Sequence, residues 1–201
     1  MKPFLTILFA FITMYASAQI NTLSPGDKAP DITLKNVNDK QISFADYANA
    51  KGFIVVFTCN TCPYAKAYEQ RIVELHNKFA SQGYPVIAIN SNDPEVSGGD
   101  SFEKMKQLAT SKKYPFPYLY DEGQLVTNAY GARNTPHIFL VRKTSAGNVV
   151  EYTGAIDNDS EDSRADKTKY VEQAIAALQN NSTPAVRVTK AIGCGVKRKK
   201  A

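Results

Sequence analysis

Phe53-Ile54-Val55-Val56-Phe57-Thr58-Cys59-Asn60-Thr61-Cys62-Pro63-Tyr64 is the stretch that decides the fold. Its first five residues are apolar and mostly β-branched or aromatic, the pattern of a strand buried on both faces. From Tyr64 the period changes. Ala65, Tyr68, Ile72, Leu75 and Phe79 recur at steps of three and four, which predicts a helix from Tyr64 to Phe79, with Gly83 ending it. Pro85 to Ile89 reads as a second buried strand. Strand, helix and strand in that order form a right-handed βαβ unit. The two cysteines therefore fall where a buried strand hands over to a helix, at the carboxyl end where open α/β sheets place their chemistry.

That position has a chemical logic. Unpaired amides and the helix dipole stabilise negative charge at a helix N-terminus, so a thiol there ionises more easily. A second thiol one turn on can attack a mixed disulfide and release the partner. On spacing alone, Cys59 is expected to attack and Cys62 to resolve. Pro63 suits a first helical turn, where its missing N–H has no partner to lose. Half of a zinc site is the competing reading, but zinc would need a second cysteine pair or paired histidines, and the sequence has only three cysteines and two histidines. Inert core cysteines are a further alternative. Placement directly before a helix argues against both, so no metal and no cofactor are expected.

Outward from this unit the chain alternates. Ile32-Thr33-Leu34 and Gln41-Ile42-Ser43 flank the turn-rich Asn36-Val37-Asn38-Asp39 and predict an N-terminal hairpin. Ser91 to Gly99 reads as a polar loop, and Ser101 to Lys112 as an amphipathic helix capped by Ser101. Tyr118 to Tyr120 is a short strand, and Glu122 to Tyr130 a short helix ended by Gly131. His137 to Val141 and Val149 to Thr153 form a second hairpin, followed by a polar loop over Asp157 to Asp166 and a last helix from Lys167 to Leu178. Residues 179–201 read as an extended tail. The order predicts an α/β fold with a mixed central sheet flanked by helices.

Thr135-Pro136, just ahead of a core strand, is the second signal. With it the chain resembles the thioredoxin superfamily. It looks most like the peroxiredoxin-like redoxins of the alkyl hydroperoxide reductase/thiol-specific antioxidant group. The stretches that carry the resemblance are Gly26-Asp27-Lys28-Ala29-Pro30-Asp31, Cys59-Asn60-Thr61-Cys62-Pro63-Tyr64, Tyr114 to Glu122, Tyr130-Gly131-Ala132, Thr135-Pro136 and Ala191-Ile192-Gly193-Cys194. The resemblance implies a thioredoxin-like fold, a cis Pro136 beside the cysteines, and a Thr135 whose backbone receives an extended peptide or thiol. It implies oxidoreductase chemistry on protein or small-molecule thiols and disulfides, with a separate electron donor.

The chain also departs from the pattern. Thr58 stands where thioredoxins carry Trp, and Phe53 where they carry a buried acid. Proton transfer then needs another group, with Lys66 and Glu69 as candidates. Neither cysteine follows a Pro-x-x-x-Thr-x-x-Cys spacing, which counts against strong peroxide reduction. Cys194, between Gly193 and Gly195, is expected on flexible backbone that could reach the pair. His137 and Arg133 are accessory candidates beside the Thr-Pro step; His76 reads as structural. Peroxide reduction is one alternative function. A copper carrier on the same fold is another, since thiolates bind Cu(I) and His137 could add a ligand; such carriers usually space their cysteines by three residues.

The totals fit one domain of 201 residues. Lys2, the apolar run Phe4 to Tyr15 and Ala16-Ser17-Ala18 predict a signal peptide over 1–18, cut before Gln19. The run is shorter than the roughly 20 residues of a spanning helix. The protein is therefore expected to be exported, to a bacterial periplasm or beyond, without stable membrane insertion. A redoxin domain over 19–180 and an extension over 181–201 complete the expected organisation. The net charge of +5 is local: without Lys2, the cluster Lys197, Arg198, Lys199 and Lys200 accounts for the rest. This excludes a basic nucleic-acid face and reads as a solvated terminus.

Overall fold

The computed structural model describes residues 21–199. The predicted signal segment lies outside them. Among the described residues no helix is long and apolar enough to cross a membrane.

The elements follow the sequence pattern closely. β1 (Thr33–Asn36) and β2 (Gln41–Ser43) form the N-terminal hairpin, followed by β3 (Gly52–Thr58), α1 (Pro63–Phe79) and β4 (Val86–Asn90). Next come α2 (Phe102–Lys112), β5 (Tyr118–Tyr120) and α3 (Leu125–Tyr130). A two-residue β6 (Asn134–Thr135) precedes the hairpin β7 (His137–Thr144) and β8 (Gly147–Gly154). α4 (Tyr170–Gln179) and β9 (Cys194–Gly195) are the last elements among the described residues. Seven strands form a mixed sheet in the order β2-β1-β5-β4-β3-β7-β8. β3, β4 and β5 run parallel, whereas β1 and β7 join antiparallel on either side. This is a thioredoxin-like fold.

β3 shows why its sequence carries no alternation of polarity. Ile54 and Val56 join the core that faces α1 and α4, beside Tyr68, Ile72, Leu75, Val171 and Ile175. Phe53, Val55 and Phe57 point the other way, among Phe44, Ile89, Tyr130 and Phe139. A strand sandwiched between two apolar layers must be apolar at every position.

Two predicted helices start later than expected. Glu122 to Gln124 forms a 3-10 turn, with Gly123 at φ 71° and Gln124 at φ 58° breaking the helix before Leu125. The Asp121 carboxylate then accepts from the N–H groups of Val126 and Thr127 at 3.2 and 2.6 Å, closing the start of α3. Lys167 to Lys169 stays outside α4, because Thr168 and Asn158 exchange hydrogen bonds across the preceding loop.

The tail differs most from expectation. It is stitched to the body along its length. Residue 188 bridges Thr153 in parallel fashion, and the Thr189 hydroxyl meets Tyr152 Oη at 2.6 Å and accepts from Ala155 N at 2.9 Å. The expected solvated basic end is also anchored. Lys197 exchanges backbone hydrogen bonds with Asp93 and the Asn92 side chain, and Arg198 donates to Ala132 O at 2.6 Å. Main-chain pairing and side chains together fix this segment, the Arg198 guanidinium and the Lys199 ammonium, paired with Glu95, among them. Their partners lie too far away in the chain to be read from the basic run itself.

Candidate redox site

β3 delivers Cys59 at its carboxyl end. The helix, however, begins one residue after Cys62, so Cys62 and not Cys59 occupies the N-cap of α1, with Pro63 behind it. This corrects the expectation that the first thiol sits on the dipole. Both sulfurs are buried, each 4% exposed. The Thr135–Pro136 bond is cis, as the resemblance implies. Thr135 faces both sulfurs: its hydroxyl lies 3.2 Å from Cys59 Sγ, and its carbonyl accepts from Cys62 Sγ at 3.2 Å.

The two thiols feel opposite environments. Burial pushes Cys59 above its ordinary pKa and the Asp100 carboxylate adds to this, against smaller opposing hydrogen bonds. Burial acts on Cys62 in the same direction. There it is outweighed by hydrogen bonds from the Cys194 thiol, the Ala65 amide and the Cys194 amide, so Cys62 falls below the ordinary value.

The loop between the cysteines is held by a residue that the sequence reading missed. Asp100 is fully buried. Its carboxylate accepts from Asn60 N at 2.6 Å, Thr61 Oγ1 at 2.8 Å, Asn92 Nδ2 at 3.0 Å and Ser97 Oγ at 2.6 Å. Asn60 is gripped further by Gly99 O and by the Tyr118 hydroxyl, which donates to Asn60 Oδ1 at 2.8 Å. A Cβ at Gly99 would strike the Thr61 methyl group. The Gly98-Gly99 pair ahead of Asp100 was the available signal for this close approach.

The accessory candidates separate. Glu69 lines a small apolar cavity with Cys59, Tyr114 and Tyr118, and pairs with Lys112 at 2.8 Å. Lys66 is exposed and contributes its backbone to the first turn of α1. His137 is buried against Phe139, and neither of its ring hydrogen bonds goes to a sulfur. Nδ1 accepts from Arg133 N, which leaves Nε2–H to donate to the Thr153 hydroxyl at 3.1 Å. Burial, followed by the Arg133 charge, pushes its pKa down to about 4. Arg133 is exposed and lines a groove with Tyr64, Asn134 and Gly193. His76 accepts from Val86 N in the body of the fold.

Cys194 does reach the pair, but not on flexible backbone. β9 pairs antiparallel with β6, setting Cys194 opposite Thr135 and Gly195 opposite Asn134. Asn134 Nδ2 donates to Gly193 O at 3.0 Å, and Val196 N to Arg133 O at 3.0 Å. A Cβ at Gly193 would collide with the Thr135 carbonyl, so this glycine permits contact rather than motion. Cys194 thereby packs against Cys59, Cys62 and Ala65. No disulfide links the three sulfurs here.

The architecture is shared with solved structures. An uncharacterized conserved protein from Geobacillus kaustophilus is 32% identical, with a TM-score of 0.81 over 90% of this chain and 95% of its own. A hypothetical protein from Sinorhizobium meliloti 1021 is 27% identical, with a TM-score of 0.81 over 90% of this chain and 98% of its own. Among curated relatives, the thiol-disulfide oxidoreductase ResA of Halalkalibacterium halodurans is 25% identical over 59% of this chain and 62% of its own length. The match thus spans less than two thirds of that relative. Residues 25–153 match the AhpC/TSA family, and they contain the strand, both loop cysteines and the Thr135–Pro136 step; the chain belongs to the AhpC/TSA family.

Proposed function

We propose that this chain is an exported thiol–disulfide oxidoreductase in which Cys62 is the attacking sulfur and Cys59 the resolving one. The observation that carries the reading is the meeting of two buried sulfurs with Thr135 at the cis-proline step, one sulfur on the helix N-cap. Similarity to proteins named thiol-disulfide oxidoreductase supports the general class.

The steps follow from the geometry. Cys62 thiolate attacks one sulfur of a partner disulfide; the S–S bond breaks and the far sulfur leaves as a thiolate. The partner is then linked to Cys62. Cys59 loses its proton, attacks Cys62 Sγ and expels the partner as its second thiol, leaving Cys59–Cys62 oxidised. Burial holds the Cys59 proton more tightly, whereas hydrogen bonds arm Cys62, so Cys62 is the sulfur ready to attack first. Thr135, with its backbone beside both sulfurs, positions the partner. An external donor of thiol electrons must return the pair to its reduced form.

Copper carriage is less favoured, because both ring nitrogens of its candidate ligand His137 are committed to Arg133 N and Thr153. The test is reduction of insulin disulfides by the chain lacking residues 1–18. Cys62→Ser abolishes it, while Cys59→Ser combined with Cys194→Ser, which removes both neighbouring thiols, accumulates a mixed disulfide at Cys62. A trapped mixed disulfide on Cys59 instead would reverse the two roles. Tight stoichiometric Cu(I) binding without insulin reduction would replace the reading. Cell fractionation with N-terminal sequencing at Gln19 tests export.

A further inference from the structure

The Thr135 edge that the proposed function assigns to an incoming partner is already taken by this chain. β9 lies on it as an antiparallel strand, in the manner of a peptide adding to an exposed edge. Gly193 is pressed onto the Thr135 carbonyl, and Cys194 stands opposite Thr135 with its sulfur against Cys62. The strand is held from both ends: Thr189 is fixed to Tyr152 and Ala155, and Lys197 is fixed to Asn92, Asp93 and Gln124. These anchors set the register, and the register is what brings the third sulfur to the pair.

We propose that Cys194 is a third redox sulfur of this site, carried by the tail as a built-in peptide ligand of the Thr135 edge, and that it exchanges with Cys59 for Cys62. The proposal rests on the oxidoreductase reading, which supplies the Cys59–Cys62 disulfide. From that state Cys194 gives its proton to solvent and attacks Cys62 Sγ. The Cys194–Cys62 bond forms, the Cys59–Cys62 bond breaks, and Cys59 leaves as a thiolate that takes up a proton. The electron count is unchanged, so no further oxidant is needed.

The charges favour the timing. Burial raises the Cys194 pKa first, and hydrogen bonding and repulsion from Cys62 then help to carry it to about 11. Once Cys62 is in a disulfide its charge is gone, so Cys194 ionises more readily at the step that uses it. In the reduced chain the same thiol instead donates to Cys62 and helps to arm it. A partner and the tail compete for one edge. The product disulfide therefore bolts the tail over the edge, and the oxidised protein closes its own site.

The test uses the full chain without residues 1–18, oxidised in a glutathione redox buffer, quenched in acid and blocked with N-ethylmaleimide. Trypsin places Cys59 and Cys62 together in peptide 52–66 and Cys194 in peptide 191–197. The expected result is a linked pair of these peptides carrying maleimide on Cys59, which disappears on reduction. Gly193→Val, which lifts the strand from Thr135, should abolish the link while leaving Cys59–Cys62 oxidised. An oxidised wild-type chain holding only Cys59–Cys62, with Cys194 labelled, overturns the proposal and leaves the oxidoreductase reading intact. An absence of any disulfide in the same buffer overturns both.

Discussion

Two segments bring sulfur to this site, and they are fastened in different ways. The loop from Cys59 to Cys62 is tied by a buried carboxylate, that of Asp100, which accepts from two residues of the loop and from three of the wall behind it, Asn90, Asn92 and Ser97. The tail around Cys194 is tied by strand pairing and main-chain hydrogen bonds at a partly open edge. Buried charge-assisted bonds are costly to break, because each orphaned donor remains out of water. Edge pairing can be exchanged for an equivalent strand or for solvent at far smaller cost. One sulfur-bearing segment is therefore fixed and the other is separable.

The largest test of this contrast is Asp100→Ala. Orphaning the buried donors should lower unfolding stability by about 3 kcal/mol or more in urea titration. Gly193→Val should cost about 1 kcal/mol or less, yet raise maleimide labelling of Cys194 to the rate of an unfolded thiol. Equal losses of stability in the two variants would erase the distinction.

His137 lies in the floor beneath the tail, and it offers a pH test. Its folded pKa of about 4 is depressed below the unfolded value near 6.5. The unfolded chain takes up the proton first. The stabilisation is therefore complete above pH 6.5 and lost as pH falls toward 4, by about 3 kcal/mol in all. Chemical denaturation across that window should show the loss, and His137→Gln should flatten it.

The fixed segment contains a contrast of its own. Iodoacetamide should modify Cys62 with a midpoint below that of a free thiol and Cys59 with one above it, read by peptide mass spectrometry over a pH series. The opposite order would return the attacking role to Cys59. The smallest effect belongs to the far end of the tail. Arg198→Ala removes the bond to Ala132 O, and should cost about 1 kcal/mol while accelerating amide exchange at Val196.

The sequence alone was sufficient for the strand Phe53 to Phe57, the helix from Tyr64 and the cysteine pair between them, because burial on two faces and helical periodicity are written in neighbouring residues. Thr135-Pro136 was marked by the family resemblance, since an X-Pro step ahead of a strand carries no local sign of what it faces. Tertiary structure decided which cysteine occupies the N-cap, since one residue of helix onset moves the dipole from one sulfur to the other. It also decided the roles of Asp100 and of the tail. Asp100 acts through partners up to forty positions away in the chain, and Cys194 reaches Thr135 through backbone pairing, to which side-chain identity contributes little beyond the glycine that lets the two strands touch. Contacts between distant segments leave no local period to read, and here they determine which sulfur is charged and what covers it.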